Sequence, residues 1–283
     1  MTTKHFTTTI ATSAVLLIAL VVSSPAEAQR RGGGRTGGMQ ACAETVTTYL
    51  DQLELTTLTQ ADIDALNQMR EEEKLARDVY LTLGERWSLP IFFNIARAEQ
   101  QHMDRVLSVM NLYDVTDPVT DDTVGVFVDQ GLADLFTALT TQGDVSLVDA
   151  LMVGATIEDL DIADLYELIS IGSNDHLLFA WQNLAKGSRN HLKAFISALT
   201  AQDGAYTPQY LDQETFDAIL AADWERGIVY DAAGEILADC GAAMGGRGGR
   251  GGSGQGGSGQ GGNGSGGSQG GSGTGTCDGS GNP

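Results

Sequence analysis

Residues 91–113 (IFFNIARAEQQHMDRVLSVMNLY) place the tightest constraint on what this chain can fold into. The stretch is helix-forming, and at heptad spacing its seam runs Phe92, Ile95, Glu99, His102, Val106, Val109, Tyr113. Glu99 and His102 interrupt an otherwise apolar stripe. Three residues apart, they project from one face, one turn from each other. Burying a carboxylate without a counter-charge is expensive, so this helix needs matching groups from elsewhere in the chain.

Three further stretches repeat the pattern. A helix starting at Thr59 or Asp62 and reaching about Trp87 has the seam Leu66, Met69, Glu73, Ala76, Tyr80, Leu83, Trp87. Pro90 suits the first position of the next helix, and the short link makes the two antiparallel neighbours. A long crossover (114–145) holds an expected extended piece at 124–128 and a small helix near 132–140. A third helix opens at Ser146 and reaches about Ile169, with the seam Leu147, Leu151, Gly154, Glu158, Asp161, Leu165, Leu168. Ser173 or Asn174 caps a fourth, to about Leu199, with the seam Leu177, Trp181, Leu184, Ser188, His191, Phe195, Ala198. Two helical hairpins joined by a long connection is the ferritin-like plan. The expected fold class is all-α: a four-helix bundle over about 60–199, with its crossover between the second and third helices. A segment at 43–55 caps it, and a small C-terminal lobe (200–240) with one short helix is appended.

The ends have a different character. Residues 1–28 read as a secretory signal peptide, with Lys4, an apolar run over 10–22 and Ala26-Glu27-Ala28 before Gln29. That run is short for a membrane span, so export to a secreted or periplasmic location is expected, without stable membrane insertion after cleavage. Residues 29–41 read as a flexible segment. Residues 241–283, almost all Gly, Ser and Gln, read as a disordered tail. One domain, 42–240, remains. Lys4, five arginines, Glu27 and Asp278 lie outside it, leaving ten basic and 35 acidic residues inside, a net charge of −25. Such a surface repels nucleic acid and draws cations, or simply keeps an exported chain soluble. Cys42 and Cys240 bracket the domain and could bridge its ends in an oxidising compartment, leaving Cys277 over.

The seams together carry Glu73, Glu99, His102, Glu158, Asp161, Ser188 and His191, with no Lys or Arg among them. Arg70, Lys74, Arg77, Arg97, Arg105, Lys186, Arg189 and Lys193 fall on flanking or outward positions. The inner carboxylates must therefore share protons, trap water or hold metal. Glu-x-x-His on inward faces of a bundle is the di-metal carboxylate arrangement, and carboxylate with imidazole suits iron, manganese or zinc. Taken alone, Glu99 and His102 also fit a buried hydrogen-bonded pair. Tyr80 and Trp181 read most simply as core aromatics, Met69, Met103 and Met110 as core filler, and His176 as a solvated first-turn residue.

The run EEEKLARDVY followed by NIARAEQQHM resembles the first two helices of rubrerythrin-like members of the ferritin-like superfamily. More closely, residues 60–225, with VGATIEDLDIADL, GSRNHLKAF and YTPQYL, are similar to an uncharacterised ferritin-like domain family of exported bacterial and archaeal proteins. The resemblance implies metal ligation by Glu73, Glu99, His102, Glu158 and His191. Tyr80, Asp161 and Ser188 stand behind them as supporting residues. Ser188 occupies the place of a glutamate in the di-iron pattern, which leaves the carboxylates one short. An incomplete site is the expectation, with one ion or an unequal pair and Asp161 the nearest substitute.

The expected cofactor is a transition metal, iron first, with manganese or zinc as alternatives and one or two ions bound. The expected function is that of an exported ferritin-like metal-binding protein, a non-haem iron or manganese redox protein acting on oxygen, peroxide or ferrous iron. Two alternatives stay open: a binding protein that sequesters metal without turnover, and a structural or surface helical module with a degenerate site. A homo-oligomer is compatible with all three.

Overall fold

The computed structural model describes residues 35–243. The signal peptide expected at 1–28, the start of the 29–41 segment, Cys277 and the Gly-rich tail beyond residue 243 lie outside them. Among the described residues the chain is mostly helical, with eight helices and one two-stranded sheet.

The four long helices begin where the sequence supplies starting signals. Helix α1 (Arg35–Leu50) precedes them, and α2 (Gln60–Trp87) follows. Thr59 caps α2 through a reciprocal box, its hydroxyl accepting from the Asp62 N–H and its own N–H donating to the Asp62 carboxylate. Pro90 opens α3 (Pro90–Leu112) after a turn in which Ser88 adopts a left-handed φ of 54°. Helix α4 (Gln130–Gly143) lies within the crossover. Ser146 caps α5 (Leu147–Ile171) and Asn174 caps α6 (Asp175–Thr200). Helix α2 packs along α3, and α5 along α6; the pairs meet through α3 on α6 and α2 on α5, with α4 against both α2 and α5. Buried apolar side chains form two clusters, one around Tyr80, Phe92, Leu151 and Phe195, the other around Leu66, Met110, Leu165 and Trp181.

Several cations expected on flanking or outward positions are in fact buried, because the crossover folds over them. Arg70 makes a two-pronged pair with Asp117 at 3.0 and 3.1 Å. Lys74, 1% exposed, reaches Asp78 at 2.6 Å and the carbonyl of Thr123 at 3.0 Å, and lies 4.4 Å from the centre of the Phe127 ring. Arg77 joins Asp78 to Asp122, both at 2.8 Å. The piece expected to be extended at 124–128 is a turn instead: Gly125 has a φ of +79°, and its N–H donates to Asp78. His176 is also buried, not solvated, with its Nδ1 3.0 Å from the Tyr113 hydroxyl at the end of α3.

The C-terminal lobe holds α7 (Gln213–Ala221), the antiparallel strands β1 (Ile228–Tyr230) and β2 (Ile236–Asp239), and α8 (Cys240–Ala243). The short helix expected in this lobe is α7, and the two strands are additional to it. The side chain of Asp159 on α5, fully buried, anchors the lobe by accepting from Tyr206 Oη and from the N–H groups of Gln209, Tyr210 and Leu211. On α6, Asn183 exchanges two hydrogen bonds with the backbone of Tyr230, and Arg189 pairs with Glu225.

Helix α1 begins inside the segment expected to be flexible, and α8 likewise extends past the expected start of the tail. Both have something to pack on: α1 lies against β2 and α8 and reaches the long helix α6 through Tyr49. Cys42 and Cys240 are joined in a disulfide, their Cα atoms 5.6 Å apart. Tyr49 accepts the Ala232 N–H at 2.8 Å and packs its ring on Phe179.

Two outcomes follow for stability. Asp78→Ala strands the buried Lys74 without a counter-charge and leaves Arg77 only Asp122, so unfolding in urea should show a loss of about 3–5 kcal/mol. A double replacement of Lys74 and Asp78 by apolar residues should lose less. Cys42→Ser should cost about 2–4 kcal/mol, with the loss of hydrogen-exchange protection concentrated in α1, β1 and β2; non-reducing peptide mapping checks the bridge itself.

Candidate metal centre

Four helices each send polar side chains to one level of the interior. Glu73 comes from α2, Glu99 and His102 from α3, Glu158 from α5 and His191 from α6. The three glutamates are each 2% exposed. His102 is buried, and the His191 side chain is 12% exposed. All five residues named from the sequence come together here, in two sets: Glu73, Glu99 and His102 offer donor atoms within 4.8 Å of one another, as do Glu99, Glu158 and His191. Either set could hold a metal ion.

Glu99 belongs to both. Its Oε2 lies 2.8 Å from His102 Nδ1, which is also 3.1 Å from Glu73 Oε2. Its Oε1 lies 2.8 Å from His191 Nδ1, which is 3.4 Å from Glu158 Oε2. The two rings stack, 5.4 Å between centres. Tyr80, fully buried, donates to Glu158 Oε1 at 2.6 Å. Ser188 donates to Asp161 Oδ2 at 2.5 Å, with the Leu184 carbonyl 3.1 Å away.

The titration of these groups is dominated by burial and by one another. Burial pushes the Glu73 carboxyl up to about 8, against the pull of His102. Burial, with the Glu99 charge beside it, raises Glu158 to about 7. Burial likewise raises Glu99, but His191 and His102 on either side outweigh it and hold this carboxylate well below the usual range. Burial disfavours a charged His102, yet Glu73 and Glu99 raise it to about 10, and Glu99 and Glu158 raise His191 well above the ordinary value. Asp161 is raised well above its usual range, by burial and then by Glu73 and Glu158.

The donor set fits a metal better than it fits internal pairing. Glu73 Oε1, Glu99 Oε1 and His191 Nδ1 are buried without a hydrogen-bond partner. Glu99 Oε1 and His191 Nδ1 lie 2.8 Å apart without hydrogen-bond geometry between them. Two donors about 2.1 Å from one ion and at right angles would stand about 3 Å apart. Orphaned polar atoms are rare inside proteins, and buried groups converging in this way could share a metal ion.

Two glycines, not singled out for any role, allow this arrangement. A Cβ on Gly187 of α6 would stand 2.3 Å from His102 Nε2, so the bare backbone there is what lets the ring lie with Nδ1 towards the glutamates. Gly154 of α5 accepts the Phe195 ring, which a Cβ would meet at 2.4 Å. Neither position has a sequence signal beyond being glycine in a helix, where that residue is otherwise costly.

A family profile described as "Uncharacterized protein domain (DUF2202)" matches residues 62–223, which include every residue of both donor sets. The chain belongs to this family. A relative, "Uncharacterized protein MJ0754" of Methanocaldococcus jannaschii, is 47% identical over 180 residues, covering 64% of this chain and 97% of that protein. The solved structure titled "Crystal structure of hypothetical protein MJ0754 from Methanococcus jannaschii DSM 2661" aligns with a TM-score of 0.60 at 47% identity, over 62% of this chain and 99% of that one. Both donor sets of this DUF2202 chain thus lie in the matched domain, not in its added ends.

Gly187→Ala is the sharpest test of the packing behind the centre. The added methyl must displace His102 or part α3 from α6, at a cost of about 1–3 kcal/mol by overpacking. Urea unfolding of the purified variant should show that loss, while circular dichroism retains the helical signal.

Proposed function

We propose that this is an exported ferritin-like protein whose four-helix bundle would hold two transition-metal ions, iron first and manganese next, on two donor sets that share Glu99. The observation that carries the reading is the pair of donor sets sharing one carboxylate. Glu73 and His102 complete one set, Glu158 and His191 the other. Tyr80 fixes the rotamer of Glu158 by holding Oε1. Asp161 and Ser188 hold each other and support the cluster, and Asp161 adds a fourth carboxylate where the sequence pattern lacked one. Four carboxylates balance the charge of two divalent ions, which favours a pair over the incomplete site expected from the sequence.

Such a pair, when bound, supplies Lewis acidity and redox chemistry towards oxygen, peroxide or ferrous iron. The chain's part is to keep the ligands dry and oriented. Export is supported by the leader-like start of the sequence together with the Cys42–Cys240 bridge, which belongs in an oxidising compartment.

Protein refolded with iron(II) or manganese(II) should carry two ions per chain by elemental analysis. Glu99→Gln should lower both occupancies together, whereas Glu158→Gln should chiefly lower one. A native chain that retains no transition metal after reconstitution sinks the proposal.

The pH dependence has a definite sign. Glu158, Glu73 and His102 have folded pKa values raised to about 7, about 8 and about 10. The stability they give the metal-free chain is full at low pH and is lost as pH rises through those values. Metal must displace the same protons, so its affinity rises over that range. The gain in Tm on adding metal should therefore widen from pH 6 to pH 9, and calorimetry in buffers of different ionisation enthalpy should register proton release.

A further inference from the structure

A cavity of about 60 Å³ lies between α2 and α5 beneath α4. Its lining runs from Glu73, Glu99 and Glu158 at the centre to Tyr210, which is 51% exposed. Leu75, Leu135, Leu139 and Leu160 contribute apolar walls. The space holds a few water-sized particles and is far below the roughly 300 Å³ at which organic ligands are usually accommodated. It admits ions and very small molecules.

Six carboxylates line it and no Lys or Arg does: besides the three glutamates of the centre, Glu72 stands on α2, and Asp161 and Asp164 on α5. Glu158, Asp161 and Asp164 follow one another at three-residue steps, and so rise along one face of their helix. An acidic lining alone would mean little. Here Glu73, 2% exposed, contributes to the same cavity with its Oε1 unpartnered, and the buried Oε2 of Glu72 is unpartnered too, its Oε1 taken by Gln68 at 2.9 Å. Two ions at the centre are matched by Glu73, Glu99, Glu158 and Asp161. Glu72 and Asp164 are left facing the cavity with no counter-charge among its lining residues.

We propose that this cavity is the route by which a divalent cation reaches the centre, with Glu72 and Asp164 holding it on the way in. The proposal rests on the metal-centre reading and adds the direction of loading and the residues that govern its rate. Neutral oxidants gain nothing from paired carboxylates; a cation does, because charge of one sign in a low-dielectric cleft concentrates its counter-ion.

Cobalt(II) uptake followed by its visible absorption in a stopped-flow instrument tests this. The double variant Glu72→Gln/Asp164→Asn is near-isosteric at two partly exposed positions and should fold. It should load about tenfold or more slowly than the native chain, yet reach the same cobalt content per chain at equilibrium. The control Glu85→Gln/Glu235→Gln, which removes the same charge from exposed positions outside the cavity, should load within about twofold of the native rate. Equal loading rates for the two double variants overturn the route while leaving the centre standing. So does a fall in final cobalt content with an unchanged rate, which would make Glu72 and Asp164 part of the centre itself. A native chain that takes up no cobalt overturns the metal-centre reading and the route together.

Discussion

Three glutamates buried in an otherwise apolar interior, with only two imidazoles between them, are the constraint to which the rest of this structure answers. Glu73, Glu99 and Glu158 are each 2% exposed. No lysine or arginine reaches them through the hydrogen bonds and ion pairs of the described residues. An ionised carboxylate in such surroundings needs a proton, a cation or a hydrogen bond. The centre has places for all three: raised pKa values at its rim, Tyr80 on Glu158, and orphaned atoms that converge where an ion would sit. The two apolar clusters and the glycines that let Phe195 and His102 approach the backbone are what make that convergence rigid.

The cations absent from the centre are used elsewhere in the interior. Arg70, Lys74 and Arg77, on the same helix as Glu73, turn away from it and fasten the crossover through Asp117, Asp78 and Asp122. Asp159, next to Glu158, turns the other way and fastens the C-terminal lobe. Adjacent positions on one helix thus divide between the centre and its supports. This separation keeps arginine and lysine from neutralising the glutamates that the centre needs.

Most of this was legible in the sequence wherever period and capping carried the information. The four long helices, their caps at Thr59, Ser146 and Asn174, and the five converging residues all follow from apolar spacing interrupted at matching heights. The remainder depended on partners far away in the chain. Lys74 and Asp78, four apart, look the same whether solvated or buried, and only the crossover decides between them. His176 reads as a surface residue until Tyr113 covers it. Strands of three and four residues leave too short an alternation to recognise, and the glycines that begin α1 read as linker because the disulfide that anchors the helix is closed 198 residues later.

The placement of the two donor sets has a consequence for how the fold holds together. Glu73, Glu99 and His102 all belong to the hairpin of α2 and α3, so that set needs no donor from the other hairpin. The set of Glu99, Glu158 and His191 exists only when α5 and α6 have docked on α3. By linkage, an ion in the first set would stiffen one hairpin, whereas an ion in the second would be a clasp between two. The two sets therefore differ in mechanical role: local opening of α5 and α6 would take two donors from the second and leave the first with all of its own.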